Sequence, residues 1–209
     1  LSVATFAQKE ELKVLKKIHS EGFRSMRISS NLLPLFDECE DKLKSDTEVI
    51  SLLKDIGDFV KVNQMRLTSH PDNFLILSSN TQQVIDNSIK IFEHHSWIFD
   101  QMGLDASTFY AINIHGGTKG NSLILIDSIN KLSTNAKSRL TLENDESSYS
   151  VKDLYSVFEQ TGVPIVFDSH HHTFNDVGLT IEEGLKLAAL TWGKVKQLTH
   201  LSNTTPGQE

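Results

Sequence analysis

The hydrophobic residues of this chain follow two alternating patterns. In segments such as Lys9–Ser20, leucine and isoleucine recur every three residues among lysines and glutamates, which is the spacing of an amphipathic helix. Between such segments lie short apolar runs with the composition of buried strands, such as Tyr110–His115. The patterns predict helices at Lys9–Ser20, Asp46–Phe59, Asn80–Met102, Ser122–Leu132, Val151–Gln160 and Ile181–Leu190, and strands at Ser25–Ser29, Val62–Leu67, Tyr110–His115, Arg139–Glu143, Pro164–Asp168 and Val195–His200.

This alternation favours a parallel sheet with helices outside it, because no antiparallel hairpin signal joins neighbouring strands. A closed barrel gathers its strand ends on one face, whereas an open sheet spreads them along an edge. We therefore predict an α/β fold of the TIM (β/α)8 barrel class, with its first and last units incomplete, in a single domain over residues 1–209. The polar residues at the ends of the predicted strands are Arg27 with Ser29, His70, His115, Glu143, Asp168 and His200.

Composition narrows the class of protein. A chain of 209 residues with 38% hydrophobic and 22% charged residues can bury one sizeable core. It has no apolar run of membrane-spanning length, and Leu1–Thr5 lacks the features of a signal peptide. The single cysteine, Cys39, excludes an internal disulfide framework. We expect a cytoplasmic protein, a monomer, without membrane contact.

The segment Pro164–His172 carries the strongest chemical signal. An apolar run ends on Asp168, and three histidines follow within four residues. Asp168 and His171 offer one oxygen and one nitrogen ligand, a mixture that suits Zn, Mn or Fe. The formal charge of -7 argues against a protein that coats nucleic acid non-specifically. However, metal ions bound among acidic side chains would make the surface locally positive.

An ordered series of short motifs extends from Arg27 towards the C-terminus. It comprises Arg27-Ile28-Ser29-Ser30, Ser69-His70-Pro71, Glu93-His94-His95, Ile114-His115-Gly116-Gly117, Leu142-Glu143-Asn144-Asp145, Phe167-Asp168-Ser169-His170-His171 and Thr199-His200-Leu201-Ser202. The series resembles the motifs of the UV damage endonuclease family, TIM-barrel relatives of endonuclease IV. The resemblance implies a metal-dependent DNA repair endonuclease. Such an enzyme incises damaged double-stranded DNA 5′ to pyrimidine dimers, 6-4 photoproducts and abasic sites.

The same resemblance assigns roles to individual residues. Glu143 is expected to bridge two metals and, with His70, to be catalytic. Two or three divalent ions are expected, with Mn²⁺ favoured and Zn²⁺ as the alternative. The expected metal ligands are His95, His115, Glu143, Asp168, His171 and His200, and the expected DNA contacts are Arg27, His70, Lys119 and His170.

Several features depart from the family pattern or leave the assignment open. The family pattern continues with a further histidine and a last carboxylate, which lie past residue 209. The family often has a lysine two residues before the histidine that matches His200, where this chain has Leu198, so a carboxylated lysine is not expected there. His94 competes with His95 as the helical ligand. Arg27 and Lys119 fit solvated surface charges as well as phosphate contacts.

Two other functions fit the same residues. Sugar isomerases and epimerases on similar barrels also gather Glu, Asp and His around a divalent metal, and they predict a small closed pocket. A non-catalytic metal-binding or DNA-binding remnant would account for the absent C-terminal ligands. The ordered motif series favours the endonuclease over both alternatives.

Overall fold

A computed structural model describes residues 2–34, 36–71 and 75–202, apart from the side chains of residues 37 and 38. Within these ranges helices and strands alternate, as the sequence predicts. The helices are α1 (Ser2–Ser20), α2 (Phe36–Ser45), α3 (Thr47–Val62), α4 (Gln82–Gln101), α5 (Ser122–Lys131), α6 (Thr134–Arg139), α7 (Val151–Thr161), α8 (Ser169–Phe174) and α9 (Ile181–Ala189), and short 3-10 turns cover Thr108–Tyr110 and Leu190–Trp192. The strands are β1 (Ser25–Ile28), β2 (Arg66–Ser69), β3 (Ile112–His115), β4 (Leu140–Glu143), β5 (Ile165–Asp168) and β6 (Thr199–His200).

All six strands are parallel, and each pairs with the next one in the chain. In a flat sheet β2 and β6 would lie about 19 Å apart, at about 4.8 Å per strand. However, the Arg66 guanidinium donates a hydrogen bond of 2.7 Å to the backbone oxygen of Lys196, just before β6. The sheet is therefore curled like a barrel wall, which confirms the predicted α/β architecture.

Alternation along the strands separates the barrel interior from the helix layer. Leu140 and Leu142 of β4 belong to the hydrophobic core that packs against the helices. Because successive side chains of a strand point to opposite faces, Thr141 and Glu143 face the interior. The register pairs Thr141 with Asn113 and Glu143 with His115 on β3. The last residue of each strand therefore has an ionisable side chain that faces the interior.

Several predicted boundaries are wrong. Helix α1 begins at Ser2 rather than Lys9, and β6 begins at Thr199 rather than Val195. Val62 ends α3 instead of beginning β2, and it is 81% exposed. The sequence prediction omits the short helices α2, α6 and α8. Among the described residues, no helix is long and apolar enough to cross a membrane.

The close packing of α3 against the end of α4 gives a stability prediction. A Cβ at Gly57 would overlap the backbone carbonyl of Met102, which cannot move aside as a flexible side chain could. We expect Gly57→Ala to lower the free energy of unfolding by about 3 kcal/mol, because overpacking outweighs the better helix propensity of alanine. Urea denaturation of Gly57→Ala and of Ser51→Ala, an exposed position on the same helix, measures this difference. Equal stability of the two variants would contradict the close contact between Gly57 and the Met102 carbonyl.

Candidate metal centre

The carboxyl ends of the strands meet in one polar cavity, as the barrel prediction requires. Its volume is about 890 Å³, and it opens at the face where each parallel strand ends. The chemically active residues that line it are Glu11, Arg27, His70, His115, Glu143, Asp168, His171 and His200. A second cavity of about 420 Å³ shares His70, His115 and His171 with the first and extends towards the loop after β4.

Glu143 lies at the centre of the cluster and is only 2% exposed. Its Oε1 atom is 2.8 Å from Nδ1 of His200, and its Oε2 atom is 3.2 Å from Nε2 of His70. The side-chain amide of Asn113 donates a further hydrogen bond to Oε2. Both oxygens of this buried carboxylate thus contact side-chain nitrogens, which come from β3, from β6 and from the residue after β2.

The proximity of these groups perturbs their acidity. Burial alone raises the pKa of Glu143, but hydrogen bonds from His200 and His70 and the nearby imidazole charges outweigh it, so the pKa lies well below its ordinary value. Burial lowers the pKa of His70, yet its hydrogen bonds to Glu143 and the Pro71 carbonyl raise it overall. For His115, burial dominates and its pKa is lowered. A carboxylate and a neutral imidazole are the protonation states that bind metal ions.

Two groups of side chains have the spacing of metal ligands. His70, His115 and Glu143 form one group, in which one potential ligand atom from each residue lies within 4.8 Å of the others. Glu143, Asp168 and His171 form a second group by the same measure. Because Glu143 belongs to both, a single carboxylate is placed to bridge two ions. The mixed nitrogen and oxygen ligands suit Zn or Mn, so the residues fit the expected metals.

Asp168 is held in place from its backbone and its side chain. Its Oδ1 atom accepts hydrogen bonds from the backbone nitrogens of His170 and His171, which caps α8. The Asn144 side chain exchanges two hydrogen bonds with the Asp168 backbone, at 3.0 and 2.9 Å. The cap therefore fixes His171 next to Asp168, and Asn144 ties both to the end of β4.

Sequence reasoning missed Glu146, which lies beside the second group. Its Oε2 atom is 3.0 Å from Nδ1 of His171, and Glu146 is exposed. A carboxylate on one imidazole nitrogen fixes the ring and directs the other nitrogen elsewhere. The only sequence signal for this role was the position of Glu146 in the loop that follows Glu143.

Of the expected metal ligands, His95 belongs to neither group of described side chains with the spacing of metal ligands. His95 lies on α4, and its Nδ1 atom is 3.4 Å from the Ser69 hydroxyl. Ser69 and His70 are adjacent, so their side chains point to opposite sides of the sheet. The strand therefore lies between His95 and Glu143, whereas His70 belongs to the group with His115 and Glu143. Neighbouring His94 stacks on Phe36, with ring centroids 3.2 Å apart.

The expected DNA contacts have different positions. Arg27 lines the larger cavity together with His70. Lys119 is exposed in the loop after β3, and His170 packs its ring edge against Phe174 at 5.2 Å. Neither Lys119 nor His170 lines the two cavities around Glu143. Of these three residues, Arg27 is thus the one that lines the cavity around Glu143.

Comparisons with known proteins identify one family. The model of the family described as UV-endonuclease UvdE matches residues 1–209. The UV DNA damage endonuclease of Nostoc sp. (strain PCC 7120) is 39% identical over 191 residues, covering 87% of this chain and 59% of that protein. The corresponding protein of Deinococcus radiodurans is 32% identical over 198 residues, covering 91% of this chain and 65% of that protein. The chain thus spans about 59 to 65% of the length of these curated relatives.

Solved structures confirm the barrel. The crystal structure of SacUVDE has a TM-score of 0.91 and 30% identity, covering all of this chain and 72% of that one. A D-psicose 3-epimerase crystallised in the presence of D-fructose has a TM-score of 0.63 and 16% identity, covering 95% of this chain and 70% of that one. At such low identity the epimerase shows a shared TIM-barrel-like fold and nothing about the reaction.

Proposed function

We propose, since this chain belongs to the UV-endonuclease UvdE family, that it carries the metal centre of a DNA repair endonuclease. The substrate is damaged double-stranded DNA, incised 5′ to pyrimidine dimers, 6-4 photoproducts and abasic sites. The observation that supports this most is the position of Glu143, which is shared by two groups of metal ligands at the floor of an open cavity.

The residues present suit two ions at this centre. His70, His115 and Glu143 would hold one ion, and Glu143, Asp168 and His171 would hold the other, with His200 beside Glu143 Oε1. Divalent ions at such a centre supply an activated water and stabilise the leaving oxygen of a phosphodiester. Mn²⁺ is the favoured ion, and Zn²⁺ is the alternative, because the site mixes imidazole and carboxylate ligands.

The side chains around Glu143 then have separate tasks. The lowered pKa of Glu143 keeps it ionised, so that it acts as a ligand and not as a proton donor. Arg27 faces the same cavity and forms no ion pair with any of the described residues, so its guanidinium is available to a DNA phosphate. His70 lies between Arg27 and Glu143 along the cavity wall, where a phosphate bound by Arg27 would meet the metal ligands.

This arrangement reconciles an acidic protein with a DNA substrate. The formal charge of -7 would repel the DNA backbone in general. Two divalent ions add four positive charges at one place, so attraction is concentrated where incision is to occur. Binding is therefore expected to depend on the loaded centre more than on a broad basic surface.

A panel of end-labelled duplexes tests the proposal. The complete protein, loaded with Mn²⁺, is incubated with duplexes that carry a single pyrimidine dimer, 6-4 photoproduct or abasic site, and with an undamaged duplex. We expect a nick immediately 5′ to each lesion and none on undamaged DNA. A metal-loaded, folded protein that leaves all four duplexes intact would exclude the repair function, and epimerisation of ketoses would then be assayed.

A further inference from the structure

Two polar residues lie in the barrel interior one layer below the candidate metal centre. Asn113 and Thr141 are cross-strand partners on β3 and β4, directly beneath the pair His115 and Glu143. They are 1% and 0% exposed. Branched apolar residues usually fill barrel interiors, and a buried polar group is costly unless it is hydrogen-bonded. These two buried side chains therefore need hydrogen-bond partners inside the barrel.

A chain of hydrogen bonds connects this layer to Glu143. The Thr141 hydroxyl donates to Oδ1 of Asn113 at 2.9 Å, and the Asn113 amide nitrogen donates to Oε2 of Glu143. Oδ1 can only accept, and an ionised carboxylate can only accept as well. The amide must therefore present its NH2 group to Glu143, and the Thr141 hydroxyl satisfies the opposite end. Each of the three groups fixes the orientation of the next.

The Asn113 contact differs in kind from the other two contacts of Glu143. His70 and His200 also touch this carboxylate, but both are imidazoles that can bind a metal ion themselves. The amide nitrogen of asparagine donates hydrogen bonds and is not a metal ligand in proteins. The contact from Asn113 can thus persist when the imidazoles bind ions, and it approaches Glu143 from the closed side of the barrel.

From this geometry we infer that Thr141 and Asn113 are positioning residues, which hold Glu143 in the orientation that serves both ligand groups. The inference rests on the proposed function of Glu143 as a shared ligand. Hydrogen-bond partners of metal ligands typically change metal affinity or activity by about 10- to 100-fold when they are removed. We expect an effect of this size from Thr141, although its hydroxyl donates to Asn113 and Thr141 does not line the cavity.

Thr141→Val and Thr141→Ser separate positioning from simple filling of the interior. Valine keeps the shape of threonine but lacks the hydroxyl, whereas serine keeps the hydroxyl and loses a methyl group. Thr68→Val is the matched control, because Thr68 is a buried threonine of β2 on the same face as His70 and takes no part in the hydrogen-bond chain. The measurements are the Kd for Mn²⁺, by calorimetry without DNA, and kcat and KM for incision of a dimer-containing duplex.

Positioning predicts that Thr141→Val raises the Kd for Mn²⁺ and lowers kcat by about 10-fold or more, with KM near that of the unmodified protein. Thr141→Ser and Thr68→Val are expected to keep both values within about 3-fold, because neither disturbs the chain. An unchanged Kd in folded Thr141→Val, or an equal loss in Thr68→Val, would overturn the inference. If the unmodified protein bound Mn²⁺ but incised no DNA, the proposed function would fail while the Kd comparison still decided the role of Thr141.

Discussion

Replacing Glu143 with Gln is expected to lower the rate of incision by about 10³-fold or more, which corresponds to about 4 kcal/mol of transition-state stabilisation. Glutamine has the shape of glutamate but no charge, and one of its two ligand oxygens becomes an amide nitrogen. Since Glu143 is the one carboxylate common to both ligand groups, the change weakens both ion sites together. The rate is measured on a duplex with a single dimer at saturating Mn²⁺.

The matched control for this substitution is Glu159→Gln, which removes the same charge from the exposed side of α7. It is expected to incise like the unmodified protein. Circular dichroism should show both variants folded, because glutamine can still accept the hydrogen bond from Asn113. Near-normal incision by metal-loaded Glu143→Gln would remove Glu143 from the mechanism.

Substitutions of His70 and His95 are expected to have different effects on metal binding, although the motif series placed His95 among the ligands and His70 beside the metals. His70→Ala should weaken the binding of Mn²⁺ by about 10²-fold, because His70 shares a ligand group with His115 and Glu143. His95→Ala should leave the Kd for Mn²⁺ within about 3-fold of the unmodified value, because a strand separates His95 from the centre. Calorimetric titration with Mn²⁺ measures the Kd of each variant.

His95→Ala is still expected to destabilise the fold, because it removes a buried side chain that touches Ser69. Thermal unfolding of the metal-free proteins therefore accompanies the titrations, so that a loss of folding is not mistaken for a loss of a ligand. The opposite order, with Mn²⁺ binding lost in His95→Ala and kept in His70→Ala, would restore the ligand set drawn from the motif series.

The strand ends were predictable because two simple rules act together there. Parallel strands put their carboxyl ends on one face, and a period of two places residues such as Asn113 and His115 on the same side. The sequence therefore indicated that His115, Glu143 and Asp168 would meet, and the structure brings them to one cavity. The family resemblance also held, because the family model covers the chain from residue 1 to 209.

The motif series could not show on which side of the sheet His95 lies, because a motif records order along the chain and not the side of the sheet. Glu93-His94-His95 lies on α4, whose residues pack on the outer face of the strands. Ser69, at the end of β2, contacts His95, whereas the next residue, His70, lines the cavity.

The residues that support the centre left only weak signals in the sequence. Three such residues are Asn113, Asn144 and Glu146. Each contacts a group 24 to 30 residues away in the chain, and such pairs follow from strand register and loop shape. One signal was available: Asn113 is two residues before His115 on a strand, so it had to face the same interior. An asparagine in that position, where an apolar side chain is usual, indicates a polar partner above or below it.

Anomalous scattering from Mn²⁺ in crystals of the complete protein tests the central claim most directly, because it locates ions without reference to activity. We expect one anomalous peak among His70, His115 and Glu143 and a second between Glu143 and Asp168, both lost in Glu143→Gln. Peaks elsewhere in the barrel, or a fully loaded protein with no peak in contact with Glu143, would contradict this expectation.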